Sequence, residues 1–284
     1  MKPLRTFIDG EPTPQLDALD RGLHYGDGLF ETIVCQGGHA RFLPLHLQRL
    51  EEGCLRLRIR PPEPAALLAQ IRESAQIPGG CLLKLIVTRG SATVRGYGAR
   101  GDERARTILL QYPPQADDTG AWEEGVAVRT AQGRLGENPA LAGIKHLNRL
   151  EQVLIRGEWT DPAIREALVF SSSGWLVSGT MSNVFLVRNG RIMTPAITTA
   201  GIRGVMRRVV LREAQRAGLG ASEDAFDAAA LACAEELFLT NARIGIWPVR
   251  ALDGQPRPVG PVTRRMQQIL LPLLGARTDG ADHA

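Results

Sequence analysis

The chain has 284 residues, of which 44% are hydrophobic and 23% charged, and its formal net charge of +4 is modest, as expected for a globular protein. Its apolar runs are too short for a transmembrane helix, and its arginines alternate with acids instead of forming a block beside aromatics, which disfavours membrane and nucleic-acid binding. The start, MKPLRTFIDG, lacks an apolar signal core and the four scattered cysteines form no CxxC pair, so we expect a cytoplasmic protein with reduced thiols and no metal site.

The first part of the chain predicts short strands, then helices, then strands again. Apolar runs bounded by glycine predict strands, and apolar residues at helical spacing predict helices. The predicted strands are 4–10, 29–38, 81–90 and 106–114, and the predicted helices are 44–57 and 64–77. The polar stretch 113–125 contains Pro and Gly, which is typical of a linker.

The second part mixes strands and helices without a regular alternation. We predict strands at 126–132, within 166–195 and at 236–249, helices at 148–159, 202–218 and 262–274, and a disordered tail at 278–284. An irregular mixture of this kind favours the α+β class. With the linker, it predicts two α+β domains, 1–116 and 117–284.

One lysine is unusual in this composition. Of the 34 Lys and Arg residues only Lys2, Lys84 and Lys145 are lysines. Asn148 and Glu151 resemble a capping box that opens a helix, with Leu147, Leu150 and Leu154 as its apolar stripe. A helix N-terminus and apolar neighbours would lower the pKa of the Lys145 amine, and a neutral amine can attack a carbonyl group, which an arginine cannot. The residues alone leave open whether a lysine falls here by chance, and Lys84 is its main rival as a reactive amine.

The stretch AGIKHLNRLEQVLIR resembles the lysine segment of the class IV, fold-type IV pyridoxal-phosphate enzymes. Further stretches agree with that family in order along nearly the whole chain. They are DRGLHYGDGLFET, HLQRL, RGSATVRGYG, RLGENPALAGIKHLNRLEQ, SGTMSNVFLV and TPAITTAGIRGVMRR. The resemblance implies a two-domain α+β fold like that of D-amino acid aminotransferase, with the active site at the domain interface. It also implies that the protein is a homodimer and that it binds pyridoxal 5'-phosphate.

Within this family the set of motifs is most similar to the aminodeoxychorismate lyases. That likeness implies a carbon–oxygen lyase that converts 4-amino-4-deoxychorismate to 4-aminobenzoate and pyruvate for folate biosynthesis. It also implies a functional link to aminodeoxychorismate synthase. The alternatives are an aminotransferase of the same fold acting on D-amino or branched-chain amino acids, and a binding protein that has lost the cofactor. The presence of Lys145 and Arg49 argues against the last.

The resemblance assigns the cofactor contacts. Lys145 would hold pyridoxal phosphate covalently, and Arg49 in HLQRL would bind its phosphate as a bidentate donor. The turn that leads into a helix at TAGIRGVMRR would present the backbone N–H groups of Ile202 and Arg203 to the same phosphate. A second phosphate loop is expected near Thr240, Asn241 and Ala242. Without the resemblance, Arg49 reads as a surface charge and the turn as an ordinary helix start.

The chain departs from the family pattern at Ser178. Aligned on SNVF and Trp175, this position usually carries a glutamate whose carboxylate keeps the pyridine nitrogen protonated, and serine offers only a hydroxyl group. Transamination depends on the strong electron sink that the carboxylate sustains. The lyase reaction forms an aromatic ring, and aromatisation offsets a weaker sink. Ser178 therefore favours the lyase over the aminotransferase.

Four further residues are candidates for substrate chemistry. Thr32 in FET is expected near the substrate, where its hydroxyl group could assist proton movement, although a β-branched residue is also ordinary in a strand. Arg95 and Tyr97 in VRGYG are candidates to hold the substrate carboxylates, with Arg243 a weaker one. A solvated glycine-containing loop is an equally good reading of VRGYG. His146 is better explained as a structural residue than as a base.

Overall fold

The structure is a computed structural model that describes residues 2–91, 95–101, 103–114 and 118–275. Contacts divide these residues into two units. The first contains the residues up to 114 together with Ile144–Asn148, and the second contains 118–143 and 149–275. The predicted boundary between 116 and 117 and the predicted disordered tail lie outside the described residues. Lys145 was predicted to belong to the second domain, but its segment Ile144–Asn148 belongs to the first unit.

The first unit is a five-stranded antiparallel sheet with three helices. Its strands are β1 (Arg5–Ile8), β2 (Gly28–Gln36), β3 (His39–Ala40), β4 (Cys81–Thr88) and β5 (Arg106–Tyr112), and its helices are α1 (Arg21–Tyr25), α2 (Leu43–Leu57) and α3 (Pro64–Ser74). The strand order is β1-β5-β4-β2-β3. All six elements predicted for this part of the chain are present, while α1 and β3 were not predicted because they are too short to show a periodic pattern.

Strand β2 separates a buried face from a half-exposed one. Leu29, Glu31 and Ile33 are buried, whereas Phe30 and Thr32 between them are only partly buried. Successive strand residues point to opposite faces, so this alternation defines one face that packs on a helix and one that stays accessible. Helix α2 covers the buried face, and it approaches closely at a glycine. A Cβ atom added to Gly53 would lie 2.7 Å from Leu29 Cδ2.

The second unit is a nine-stranded mixed sheet with five helices. Its elements are α4 (Thr119–Glu123), β6 (Val126–Leu135), α5 (Leu150–Arg156), β7 (Ile164–Ser171), β8 (Leu176–Gly179), β9 (Asn183–Arg188), β10 (Arg191–Pro195), α6 (Val205–Arg216), β11 (Ala221–Asp224), α7 (Ala228–Ala232), β12 (Glu236–Asn241), β13 (Gly245–Leu252), β14 (Gln255–Pro256) and α8 (Pro261–Leu274). The strand order is β11-β10-β9-β12-β13-β6-β7-β8, with β14 added to β13. Its core includes the stacked rings of Phe185 and Phe238, whose centroids are 4.9 Å apart.

Two predictions for this unit need correction. The expected linker 113–125 contains helix α4, because the Asp118 carboxylate caps it by accepting a hydrogen bond from the N–H of Ala121. The strand predicted at 236–249 is a hairpin of β12 and β13. Asn241 folds the chain back, since its Oδ1 accepts hydrogen bonds from the N–H groups of both Arg243 and Ile244. No helix in the described part of the chain is long and apolar enough to span a membrane.

Candidate active site

The backbone around Lys145 continues the sheet of the first unit. The N–H of Phe30 donates to the carbonyl oxygen of Lys145 at 2.9 Å, and the N–H of Leu147 donates to the carbonyl oxygen of Gly28 at 3.0 Å. Leu29 and His146 form the antiparallel bridge between these bonds. The lysine is therefore fixed by backbone pairing with β2, which holds it more firmly than a free loop would.

The side chain of Lys145 lies on the accessible face of this sheet. Its Nζ is 4.2 Å from the centroid of the Phe30 ring. Thr32 is two residues after Phe30 in β2, so the side chains of Thr32 and Phe30 lie on the same face of the sheet. Lys84 is the cross-strand partner of Thr32, and its Nζ is 5.6 Å from the Phe30 centroid. The structure thus brings the predicted residues Lys145 and Thr32 onto one face, and the rival amine Lys84 lies there too.

The predicted capping box is wrong. Helix α5 begins at Leu150 after the N-cap residue Arg149. The Asn148 amide instead donates to the carbonyl oxygen of Gly26, and the Glu151 carboxylate accepts from the N–H of Gly136. A helix dipole acts within the first turn, so the argument that α5 prepares the Lys145 amine does not hold. What places this lysine is its pairing with β2.

Arg49 is buried in an ion pair that the sequence did not reveal. Its Nε and Nη2 donate to Oε1 and Oε2 of Glu31 at 2.8 and 2.5 Å, and His46 Nδ1 is 2.6 Å from Glu31 Oε2. Burial alone would raise the pKa of Glu31, but the Arg49 charge and the hydrogen bonds from His46 and Arg49 outweigh it and lower that pKa to about 2. Glu31 and Thr32 point to opposite faces of β2, so Arg49 packs on the face opposite to Thr32.

In the second unit, α6 begins without a side-chain cap. Its N-cap residue is Gly204, and Val205 and Met206 in the first turn are buried. Gly204 leaves room for its neighbour, because an added Cβ would lie 2.1 Å from Asn183 Oδ1. The first N–H groups of a helix need acceptors, and an uncapped start of this kind suits an anion.

The prediction for the turn before α6 is only partly retained. The N–H of Arg203 donates to the carbonyl oxygen of Gly143 at 3.0 Å, so it is not directed at a phosphate as predicted. The Arg203 side chain donates to the carbonyl oxygen of Ile197. Ile202 is held through its carbonyl oxygen, which accepts from the Asn183 amide at 2.9 Å. A role for the Ile202 N–H in phosphate binding stays a prediction.

The second predicted phosphate loop lies at the end of the sheet where β9 begins and β12 ends. Asn183 and Thr240 are partners in the pairing of β9 with β12, and Thr240 is fully buried. The Asn241 amide donates to the carbonyl oxygen of Met181 at 3.2 Å. The turn at Asn241 and Ala242 is thereby joined to the residues that precede β9, and Asn183 links those residues to Ile202.

Glu166 fixes residues 180–182, which lie directly before β9, and the sequence did not reveal it. Its carboxylate is buried and accepts hydrogen bonds from the N–H and hydroxyl of Thr180, the N–H of Met181 and the hydroxyl of Ser182. The available signal was a charged residue directly before the apolar run ALVF, since such a residue in a buried strand must find partners.

Ser178 lies on β8 and is 8% exposed. Its hydroxyl donates to the carbonyl oxygen of Gly179 at 2.8 Å. The buried carboxylate on the neighbouring strand, Glu166, is occupied by the donors of residues 180–182. Ser178 itself therefore offers a hydroxyl group and no charge.

Arg95 and Tyr97 belong to an exposed loop of the first unit. The Tyr97 side chain is 86% exposed, and its ring centroid is 5.3 Å from that of Tyr25. Arg21 donates to three successive carbonyl oxygens of this loop.

Sequence comparison assigns the family. The profile of class IV aminotransferases matches residues 28–252, which is most of the chain and includes Lys145. The chain belongs to the class IV aminotransferase family. This confirms the predicted family and the fold-type IV architecture, and pyridoxal phosphate is its cofactor.

Several class IV relatives resemble the chain over nearly its full length. The aminodeoxychorismate lyase of Vibrio harveyi is 30% identical over 92% of this chain and 97% of its own. A crystal structure of 4-amino-4-deoxychorismate lyase from Pseudomonas aeruginosa has 44% identity and a TM-score of 0.90, and the match covers 93% of this chain and 97% of that one. The D-alanine aminotransferase of Bacillus licheniformis is 30% identical over 90% of each chain. Lyases and aminotransferases of this family therefore share the fold found here.

The residues of each unit fit the cofactor of this family. The first unit supplies a lysine amine beside an aromatic ring on the accessible sheet face. The second supplies the uncapped, buried start of α6, whose N–H groups suit a phosphate group. The Asn183 amide donates to the carbonyl oxygen of Ile202, and the Asn241 amide donates to that of Met181.

Proposed function

We propose that the protein is a pyridoxal-phosphate-dependent lyase that converts 4-amino-4-deoxychorismate to 4-aminobenzoate and pyruvate, a step of folate biosynthesis that links it functionally to aminodeoxychorismate synthase. The main support is the 44% identity with the Pseudomonas aeruginosa lyase across almost the whole chain. The Vibrio harveyi relative carries the same activity in its name. The reaction balances without a second substrate. A proton leaves the carbon that bears nitrogen, the carbon–oxygen bond to the enolpyruvyl group breaks, and the released enol becomes pyruvate.

The chain's own residues take distinct parts in this proposal. Lys145 anchors the cofactor through its amine and moves the proton at the substrate carbon, and the Thr32 hydroxyl on the same face assists that movement. In the second unit, the first-turn N–H groups of α6, with Ile202, Asn241 and Ala242, hold the phosphate. Arg49 of the first unit, whose Nε and Nη2 donate to Glu31, is a further phosphate contact on the strength of the family motif HLQRL. When bound, pyridoxal phosphate supplies the electron sink for the pair left by proton removal.

Ser178 favours the lyase over an aminotransferase. We propose that this residue lies where the family's glutamate meets the pyridine nitrogen, so that the nitrogen has no anionic partner and the ring is a weaker electron sink. The occupied hydroxyl of Ser178 and the saturated carboxylate of Glu166 support this reading. Aromatisation drives the elimination despite the weaker sink, but nothing comparable drives transamination.

Replacing Ser178 by glutamate should therefore shift the balance of activities. Ser178→Glu is expected to increase conversion of the cofactor to pyridoxamine phosphate by amino acids more than it increases 4-aminobenzoate release. The two rates are measured side by side on wild type and variant, with Ser178→Ala as the control that removes the hydroxyl without adding charge. Absorbance spectra of the bound cofactor report its protonation independently of turnover. An unchanged ratio of the two rates would contradict the role given to Ser178.

We also propose that the protein forms a homodimer through α5. Three apolar side chains on one side of this short helix are exposed, with exposed fractions of 77% for Leu150, 63% for Val153 and 75% for Leu154. Their spacing of three and four residues places them together, and we call them the α5 patch. Leu150 and Leu154 were predicted to form an apolar stripe with Leu147; both are exposed, and Ile155 is the buried residue of the helix. An exposed apolar cluster favours burial against a second copy.

A charge placed in the α5 patch should break this dimer. The double variant Leu150→Glu/Leu154→Glu is expected to move the mass measured by light scattering from twice the chain mass of 30.8 kDa to the chain mass itself. Leu55→Glu is the matched control, because Leu55 is a single exposed leucine on α2, 67% exposed. The α5 proposal fails if the double variant keeps the larger mass, or if the wild type is a monomer.

A further inference from the structure

Arg21 is a buried cation that supports an exposed loop. Only 4% of the residue is exposed. Its Nη1 donates to the carbonyl oxygens of Gly96 and Gly98 at 3.1 and 3.3 Å, and its Nη2 donates to that of Tyr97 at 2.8 Å. Hydrogen bonds from one planar guanidinium to three successive carbonyl groups restrict all three peptide units at once.

Arg21 is itself held rigidly on two sides. Its Nε donates to Asp27 Oδ2 at 2.9 Å, and its backbone N–H donates to the carbonyl oxygen of Gly90. Its guanidinium carbon lies 4.9 Å from the centroid of the Tyr25 ring, which in turn contacts the Tyr97 ring. The conformation of residues 95–98 is therefore set by a fixed donor, although the loop is exposed.

The loop needs such support because its glycines provide none. Gly96 has a φ of +109°, a value that side-chain-bearing residues rarely adopt, and neither Gly96 nor Gly98 has neighbours within 4 Å of where a Cβ would stand. Without Arg21, the loop would sample many conformations and pay for order only when a ligand binds.

We propose that Arg21 is a positioning residue that presents Arg95 and Tyr97 to the carboxylates of the substrate. This inference rests on the proposed function, since it takes these two residues to bind a dianionic substrate. Arg21 touches the loop backbone and leaves both side chains available. Arg21 supports turnover because it keeps the loop ordered before the substrate binds.

Arg89 provides a matched control within the chain. It is also buried and also pairs with Asp27, with its Nε 2.7 Å from Oδ2. Its remaining donors, however, go to the carbonyl oxygens of Leu57 and Arg58 at the end of α2. A substitution of Arg89 thus removes the same charge from the same carboxylate without releasing the 95–98 loop.

The test compares Arg21→Gln, Arg21→Lys, Arg89→Gln and Arg95→Gln with wild type in the full chain. Two readouts are used: the rate of trypsin cleavage after Arg95, located by mass spectrometry, and the separate values of KM and kcat for aminodeoxychorismate. Loss of about one charge-assisted hydrogen bond corresponds to roughly tenfold. Arg21→Gln should therefore raise both cleavage and KM by about tenfold or more while kcat changes less, and Arg21→Lys should recover part of each effect. Arg89→Gln should lower the melting temperature without moving either readout.

The outcomes separate this inference from the function on which it rests. It is overturned if Arg89→Gln changes cleavage and KM as much as Arg21→Gln, or if neither Arg21 variant changes cleavage. It is also overturned if Arg21→Gln raises KM but Arg95→Gln does not, because the loop would then not act through Arg95. If wild type releases no 4-aminobenzoate, the proposed function fails, and the cleavage rates alone still decide whether Arg21 orders the loop. Should Arg21→Gln not fold, Arg21→Lys supplies the same comparison.

Discussion

Replacing Lys145 by alanine is expected to lower turnover by at least about a thousandfold, because the amine both anchors the cofactor and moves the proton. Lys145→Arg should fail equally, since a guanidinium group keeps its charge and cannot bind the cofactor covalently. Both variants should fold, because the segment is held to β2 by backbone hydrogen bonds that the substitutions leave in place. Turnover and circular dichroism measured on the same preparations check both expectations.

Lys84 is the appropriate control for this experiment. Its amine lies on the same sheet face and approaches the same Phe30 ring, at 5.6 Å compared with 4.2 Å for Lys145. Lys84→Arg should keep turnover within severalfold of wild type, an effect of about 1 kcal/mol or less. Borohydride reduction of the wild type followed by peptide mapping should place the pyridoxyl group on Lys145. A pyridoxyl group found on Lys84 would reverse the assignment.

Arg49 is expected to matter for stability as well as for cofactor affinity. Removing one partner of a buried ion pair costs about 3–5 kcal/mol, so Arg49→Gln and Glu31→Gln should each lower the free energy of unfolding by that amount. A charged phosphate contact adds about 1.5–3 kcal/mol, or tenfold to a hundredfold in affinity. Only Arg49→Gln should therefore weaken pyridoxal phosphate binding to this extent. Equal losses of cofactor affinity in both variants would show that Arg49 acts only through the fold.

The same pair predicts how stability depends on pH. The pKa of Glu31 falls from 4.5 to about 2 on folding, so the folded state favours the carboxylate. This stabilises the fold above pH 4.5 by on the order of 3 kcal/mol, and the contribution is lost as the pH falls towards 2. The difference in unfolding free energy between wild type and Glu31→Gln should shrink over that range. A difference independent of pH would contradict the pairing.

Regular elements of the fold followed from the sequence where burial imposes a period. Helix α2 was predicted as 44–57 and is Leu43–Leu57, because its apolar residues recur at helical spacing. The errors occurred where single side chains decide the backbone. Asp118 starts a helix inside the expected linker, Asn241 divides an expected strand, and Asn148 bonds to Gly26 instead of capping α5. Such contacts are made with partners that a linear pattern does not reveal.

The candidate site was predictable to the extent that its residues stand in recognisable motifs. Lys145 and Thr32 were assigned to the site from two separate motifs. They lie on one accessible face, and the roles of both remain predictions. The buried carboxylates Glu31 and Glu166 were not anticipated. Glu31 lies between Leu29 and Ile33 on the buried face of β2, and Glu166 lies directly before the apolar run ALVF of β7. Their partners are distant in sequence or polar groups of a turn. A charge in such a position indicates a buried polar network, but it does not identify the network's members.

The most direct test of the proposed function is the fate of aminodeoxychorismate with the purified wild-type protein and no added keto acid. A lyase needs no amino acceptor, so 4-aminobenzoate and pyruvate should appear in equal amounts and over many turnovers per protomer. An aminotransferase would stop after one turnover at most without an acceptor, and would resume when a keto acid is supplied with D-amino or branched-chain amino acids. Sustained release of both products in equal amounts is the predicted result. No 4-aminobenzoate, together with brisk transfer of amino groups between amino acids and keto acids, would contradict it.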